Sequence, residues 1–415
     1  MSVTYPQYAL SFPSEKEPAA SLPMLDLCRM PKLMLPLSDE NGQPRTPLIE
    51  TYDTVSPGQV LTDGDTPLYA PVTGVFAGIV KLEHPTLGET DYMELDALAL
   101  SEEESTPADV YALSPEEILA ACRAAHVIDE LDGRDLADKL VAFTENDEPL
   151  LVADAVDDQP FGSASLATLR QNGAFCADGL MLAAKAIGAD DYHVLLRAGN
   201  AAYDEIKTVL PKGRLVRDSK DTYPHKIQKH RRPVARIGVQ ACLALYRACA
   251  FSEPHGFANV TVAGSAVSLP ANVRVPFGTP LSEVVSLCGL IGDPAYYVMG
   301  DSFTGTAVSS DALPILPGTT CVLAVLEKKS PAVHACIGCG RCAAVCHKHL
   351  LPYEIARRVE NLQFIKLPAL SPMDCDGCNA CSVICPANRP VAKRVQDGIE
   401  ECRRVLTAWE VCPYE

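Results

Sequence analysis

Eight of the seventeen cysteines fall in two matching runs near the C-terminus. The first is Cys336-Ile-Gly-Cys339-Gly-Arg-Cys342-Ala-Ala-Val-Cys346. The second is Cys375-Asp-Gly-Cys378-Asn-Ala-Cys381-Ser-Val-Ile-Cys385, followed by Pro386. Each reads C-x2-C-x2-C-x3-C. Three thiols separated by two residues can wrap one face of a compact object. The small residues between them, Gly338, Gly340, Gly377 and Ala380, let the backbone turn tightly and come close to the sulfurs. The fourth thiol, three residues further on, cannot reach the same object and must reach another.

This spacing is that of proteins carrying two [4Fe–4S] clusters, in which the last cysteine of each run serves the other cluster. The expected ligands are Cys336, Cys339, Cys342 and Cys385 for cluster I. Cluster II takes Cys375, Cys378, Cys381 and Cys346. Backbone amides in the two loops are expected to donate to the sulfurs and help set the potentials. Zinc ribbons place a longer spacer between C-x2-C pairs. A disulfide framework needs an oxidising compartment, which nothing in the sequence indicates. The first run ends in Cys346-His347 where a proline is usual, but that proline ligates nothing. His347 and His349 stand beside a cluster ligand and read as surface histidines, with tuning of the cluster's potential as the alternative.

The remaining residues bound the function further. At 415 residues the chain is too long for the cysteine module alone and has room for two to four domains. A net charge of −18 argues against nucleic acid as a partner. No run of about 18 apolar residues predicts a transmembrane helix. The N-terminus, MSVTYPQYAL, lacks the basic start and apolar run of a signal peptide. Free thiols and cluster ligands together predict a reducing, cytoplasmic setting. The other nine cysteines (Cys28, Cys122, Cys176, Cys242, Cys249, Cys288, Cys321, Cys402 and Cys412) read as small buried hydrophobes.

Punctuation and periodicity predict a multidomain α+β and α/β chain. Residues 1–100 carry short apolar runs broken by Pro and Gly, the pattern of many short strands. Their Thr54–Val60 and Ala70–Val75 stretches are similar to barrel-sandwich carriers. Residues 110–256 alternate helix and strand, which argues for a parallel sheet. Ser114, Pro115 and Glu117 mark a helix start with a capping box. Strands are expected over 149–154, 192–197 and 214–217, and helices over 174–187, 201–210 and 239–251. Residues 257–328 read as a small α+β module, and residues 329–415 as an α-rich dicluster ferredoxin-type domain.

The order of these parts resembles the RnfC family and the RnfC-like electron-transfer proteins such as PrdC. The carrying segments are Pro67–Gly74, Thr222-Tyr223-Pro224, Val262–Val267, Val275–Pro280, Met299–Gly305 and the two cysteine runs. The resemblance implies an RnfC-type barrel-sandwich hybrid over 1–100 and an α/β domain like the flavoprotein subunit of complex I over 110–256. It further implies a β-grasp module of the type called SLBB over 257–328.

Departures from the family pattern shape the functional reading. The family's glycine-rich loop, which cradles FMN and NADH, is here His126-Val-Ile-Asp-Glu-Leu-Asp-Gly-Arg-Asp-Leu-Ala137. Only Gly133 remains, among Asp129, Glu130, Asp132 and Asp135, whose charges oppose a pyrophosphate. An acidic-Cys-acidic-Pro turn is here Asp157-Asp158-Gln159-Pro160, and a Tyr-Pro-Gly-Glu segment is here Tyr223–Gln228. Neither FMN nor NAD is therefore expected. The expected function is an electron-transfer component of an oxidoreductase system, relaying electrons through two [4Fe–4S] clusters between a donor and an acceptor redox protein. Two alternatives stay open. One is an NADH/ferredoxin-linked RnfC subunit in peripheral contact with a membrane Rnf-type ion-translocating complex at the inner face of the cell membrane. The other is a structural zinc protein. The basic residues Lys226, Lys229, His230, Arg231 and Arg232 read as a solvated loop, with a docking patch as the alternative.

Overall fold

The computed structural model describes residues 10, 12–27, 32–38, 42–64, 67–84, 87–99, 106–144, 148–197, 200–217, 223, 233–327 and 331–411. The basic residues from Lys226 to Arg232, together with Cys28 and Cys412, lie outside the described residues. The fold is mixed α/β and divides into two compact units. The larger comprises Ser14–Ser219 and Lys229–Lys328; the smaller comprises Met1–Pro13, Lys220–Gln228 and Lys329–Glu415.

In the larger unit the Pro- and Gly-punctuated start becomes β1 (Leu25–Asp26), β2 (Lys32–Pro36), β3 (Thr54–Val55), β4 (Thr73–His84) and β5 (Gly88–Ala99). Four of them form an antiparallel sheet in the order β2-β5-β4-β3. Alternation turns Leu33, Leu35, Phe76, Met93 and Leu95 onto one face, where they bury against Val55 and Leu61. β1 lies elsewhere, paired in parallel with a strand more than two hundred residues away.

The α/β part follows as α1 (Pro115–Ala124), α2 (Leu136–Phe143), β6 (Leu150–Asp154), α3 (Ala164–Ile187), β7 (Asp191–Leu196), α4 (Asn200–Val209), β8 (Leu215–Arg217), β9 (Val234–Gly238) and α5 (Val239–Phe251). Its four strands are all parallel, in the order β8-β7-β6-β9. Ser114 and Glu117 close the expected capping box at α1. The helix expected to begin at Ala174 begins ten residues earlier. Helical geometry breaks only at Asn172 (φ −131°, ψ 27°). Ala164, Ala167, Thr168 and Leu169 are buried before the break, and packing carries the helix through it. Gly188 (φ 69°) ends α3 in the left-handed conformation.

The third sheet is built from β10 (Phe257–Ala263), β11 (Ala271–Pro276), β12 (Tyr296–Met299), β13 (Thr306–Val308) and β14 (Cys321–Val325), with β1 at its edge and α6 (Leu281–Leu287) beside it. Its order is β1-β11-β10-β14-β12-β13. Val260, Val262, Val273, Val275, Leu281 and Val284 form its core.

The smaller unit holds α7 (Arg341–Val345), α8 (Pro352–Glu360), α9 (Ala380–Val383) and α10 (Val391–Val411). Ile355 and Val359 of α8 pack with Leu367 against Val395 and Cys402 of α10. This small apolar core supports the two cysteine loops.

Candidate metal centre

The two cysteine runs repeat one backbone conformation. Gly338 (φ 68°) and Gly377 (φ 76°) occupy matching left-handed positions before the second cysteine of each run. Gly340 (φ 72°) and Asn379 (φ 58°) match again, each capping the short helix, α7 or α9, that carries the third cysteine. His349 (φ 58°) and Asn388 (φ 51°) match a third time, three residues past the fourth cysteine. Left-handed residues turn each loop tightly enough to direct its thiols inward. Glycine, and asparagine next, adopt that conformation at least cost.

The loops gather thiols from both runs. Cys336, Cys339, Cys342 and Cys385 line one cavity of about 280 Å³, with Gly338, Gly340 and Pro386. Arg341, Arg357, Arg389 and Glu360 line it too, with Arg389 paired to Glu360 and Arg357 to Glu354. Cys346, Cys375, Cys378 and Cys381 lie close enough for their thiols to act on one another electrostatically, and Cys342 also reaches Cys381. The N–H of Gly377 donates to Cys375 Sγ at 3.5 Å. Burial pushes the thiols of Cys342, Cys375, Cys378 and Cys381 above their ordinary range. Loading a metal there displaces their protons. Cysteine-only donors ringing one cavity and an amide aimed at sulfur fit iron–sulfur ligation.

One partner of these loops carried no metal-binding signal in the sequence. The hydroxyl of Tyr223 donates to the carbonyl of Cys378. Its ring packs edge-on against Phe12, 6.1 Å between centroids, and its backbone bridges to Leu10. Tyr223 was visible only as part of a family turn. The seven other described cysteines (Cys122, Cys176, Cys242, Cys249, Cys288, Cys321 and Cys402) are buried, as expected of small hydrophobes.

In the larger unit the segment matching the glycine-rich loop is filled by its own charges. Oε1 of Glu130 accepts the N–H of Gln240 at 2.7 Å, and Oε2 accepts that of Ala241 at 2.9 Å. Both amides belong to the first turn of α5, the end of a helix that attracts anions. Asp129 Oδ1 accepts the N–H of Gly238 at 2.9 Å, and its Oδ2 meets Lys139 Nζ at 2.6 Å. Burial pushes both carboxyls above the usual range. A Cβ on Gly238 would lie 2.0 Å from the Glu130 carboxyl carbon.

The second altered segment ties to another. Gln159 Nε2 donates to Thr304 Oγ1 at 3.0 Å, and its Oε1 accepts the N–H of Phe303 at 2.7 Å. Lys16 Nζ reaches the carbonyls of Asp157 and Gly162 in the same cluster. There burial, with Asp157 and Asp158 nearby, pushes Asp301 up to about 7. A larger cavity of about 600 Å³ opens between Asn172, Gln240, Arg247, Asn259 and Arg274, and no cysteine lines it.

Two family models match the chain. One, described as a 4Fe-4S dicluster domain, covers residues 335–389. The other, described as the RnfC barrel sandwich hybrid domain, covers residues 9–97. A subunit of the ion-translocating oxidoreductase complex of Rhodobacter capsulatus is 25% identical over 365 residues, covering 80% of this chain and 70% of the relative. A subunit of the proton-translocating ferredoxin:NAD(+) oxidoreductase complex of Clostridium ljungdahlii is 22% identical, covering 77% of each. Against a subunit of the Pseudomonas aeruginosa ion-translocating oxidoreductase complex, 27% identical, the chain covers 49% of the relative's length. Among solved structures, a chain of an NAD+-reducing [NiFe]-hydrogenase in the H2-reduced state aligns with a TM-score of 0.47 and 17% identity, over 73% of this chain and 64% of that one.

Proposed function

We propose that this RnfC-like protein, which carries a 4Fe–4S dicluster domain, relays electrons one at a time between two protein partners and has no nicotinamide site of its own. Two [4Fe–4S] clusters are the carriers. Cys336, Cys339, Cys342 and Cys385 hold cluster I; Cys346, Cys375, Cys378 and Cys381 hold cluster II. The cavity lined by the first four, drawn from both runs, is the observation that carries this reading. One electron enters from a donor protein and one leaves to an acceptor, with no bond made or broken in this chain.

The absence of nucleotide chemistry is part of the proposal. The Glu130 carboxylate occupies the amides at the start of α5. An incoming phosphate would have to displace that carboxyl from the amides it already caps. The segments 1–100, 110–256 and 257–328, taken as barrel-sandwich, flavoprotein-subunit-like and SLBB β-grasp modules, then serve docking and orientation.

A second reading is favoured by the relatives, named as subunits of ion-translocating complexes. In it the chain sits peripherally on a membrane complex, and the donor or acceptor is another subunit. No helix among the described residues is long and apolar enough to cross a membrane.

Metal analysis of anaerobically purified protein tests the relay. The expected result is about eight irons per chain, following from two four-iron clusters, with a cubane EPR signal on reduction. Zinc without iron would overturn it. Recovery from cell membranes with partner subunits, released by salt, would favour the second reading.

A further inference from the structure

Cys378 has a neighbour that the relay alone does not use. Nδ1 of His347 stands 4.0 Å from Cys378 Sγ. Its other ring nitrogen, Nε2, lies 2.5 Å from Asp376 Oδ2. The His347 side chain is only 14% exposed, so it is not the surface histidine the sequence suggested. The ring joins the two runs: it follows the last cysteine of the first and faces the second cysteine of the other. At the matching place after the second run stands Pro386, which has no side-chain donor.

A ligating thiolate is an acceptor, so the ring nitrogen that faces Cys378 Sγ, Nδ1, is the donor of that pair. Asp376 fixes the ring's direction, as a carboxylate commonly does behind a functional histidine. Donation to a ligand sulfur stabilises the extra negative charge that arrives with an electron.

We propose that His347, oriented by Asp376, donates a hydrogen bond to Cys378 Sγ and thereby raises the reduction potential of the cluster held by Cys346, Cys375, Cys378 and Cys381. This rests on the relay reading and its ligand assignment. It makes the two clusters unequal: one carries a histidine donor on a ligand sulfur and the other a proline in that place. The electron comes from the donor protein and passes to the acceptor, and His347 itself is neither oxidised nor reduced.

The test is an EPR-monitored potentiometric titration of the intact protein at one fixed pH, with iron content measured on the same samples. A Cys378→Ala variant identifies which signal belongs to which cluster. His347→Ala should shift the midpoint of the Cys378 cluster to more negative potential and leave the other unchanged. His347→Gln, which keeps a side-chain N–H donor, should fall between. Asp376→Asn should shift the same midpoint in the same direction, by less. Full iron content with both midpoints unchanged in His347→Ala would overturn the proposal. Loss of one cluster in both His347 variants would also overturn it, making His347 a residue that holds the loop. Wild-type protein without iron would instead strike the relay reading, a separate and visible outcome.

Discussion

The carboxylate of Glu130 accepts the backbone N–H of Gln240 at 2.7 Å, across 110 residues of chain. With Ala241 it completes a cap supplied from outside the helix: α5 has no side-chain cap of its own at Gly238. The loop's acidic Glu130 thus has a structural use in the fold. Glu130→Ala leaves two amides without their partner and should cost about 1–3 kcal/mol. Urea denaturation measures it. An unchanged midpoint would show that water serves these amides equally well.

The same domain depends on a close helix crossing. A Cβ built on Gly179 of α3 would lie 1.8 Å from the Cys242 carbonyl oxygen in α5. The neighbour is backbone and cannot rotate away. Gly179→Ala should destabilise the protein by about 3 kcal/mol, the upper range for overpacking, and lower its thermal midpoint. A midpoint equal to wild type would contradict the packing of α3 on α5.

His255 gives the fold an acid sensitivity. Burial pushes its imidazole down from 6.5 to about 4. Its Nδ1 accepts the N–H of Ile128 at 3.1 Å, which requires that nitrogen to be unprotonated. The unfolded chain takes up this proton below pH 6.5 and the folded chain only near pH 4. Its contribution is therefore present in full above pH 6.5 and is lost as pH falls, by up to about 1.4 kcal/mol per pH unit inside that window. His255→Gln should flatten the stability profile between those limits. Parallel profiles for variant and wild type would contradict the burial.

What was legible in the sequence shares one property: the signal and its partner are close together. The cysteine loops, the Ser114–Glu117 capping box, α5 and three of the four parallel strands follow from spacing or period over a few residues, whereas β9 has no such signal. What was not legible depends on distant contacts. The break at Asn172 reads as a helix start because nothing local shows that Ala164, Ala167, Thr168 and Leu169 are buried. β1 joins a sheet whose other strands begin at Phe257. Glu130 as a cap and Tyr223 as a partner of the Cys378 loop have no local signature. His347 looked like a surface residue because its acceptors, Asp376 and Cys378, lie in the other run.

The crossed ligand assignment has its own test. Cys378→Ala removes one ligand of cluster II and none of cluster I. Iron should fall by about half, following from one four-iron cluster lost, with one cubane signal remaining. Unchanged iron would show that Cys378 does not ligate. Loss of nearly all iron with the chain still folded would show that the two clusters do not form independently.

The central claim, a relay filled by another protein, is tested most directly by adding NADH to the anaerobic, cluster-loaded protein and following the visible absorbance. The account predicts no bleaching with NADH and full bleaching with dithionite, with no FMN released on denaturation. Bleaching by NADH alone would contradict it and give this chain a nucleotide site of its own.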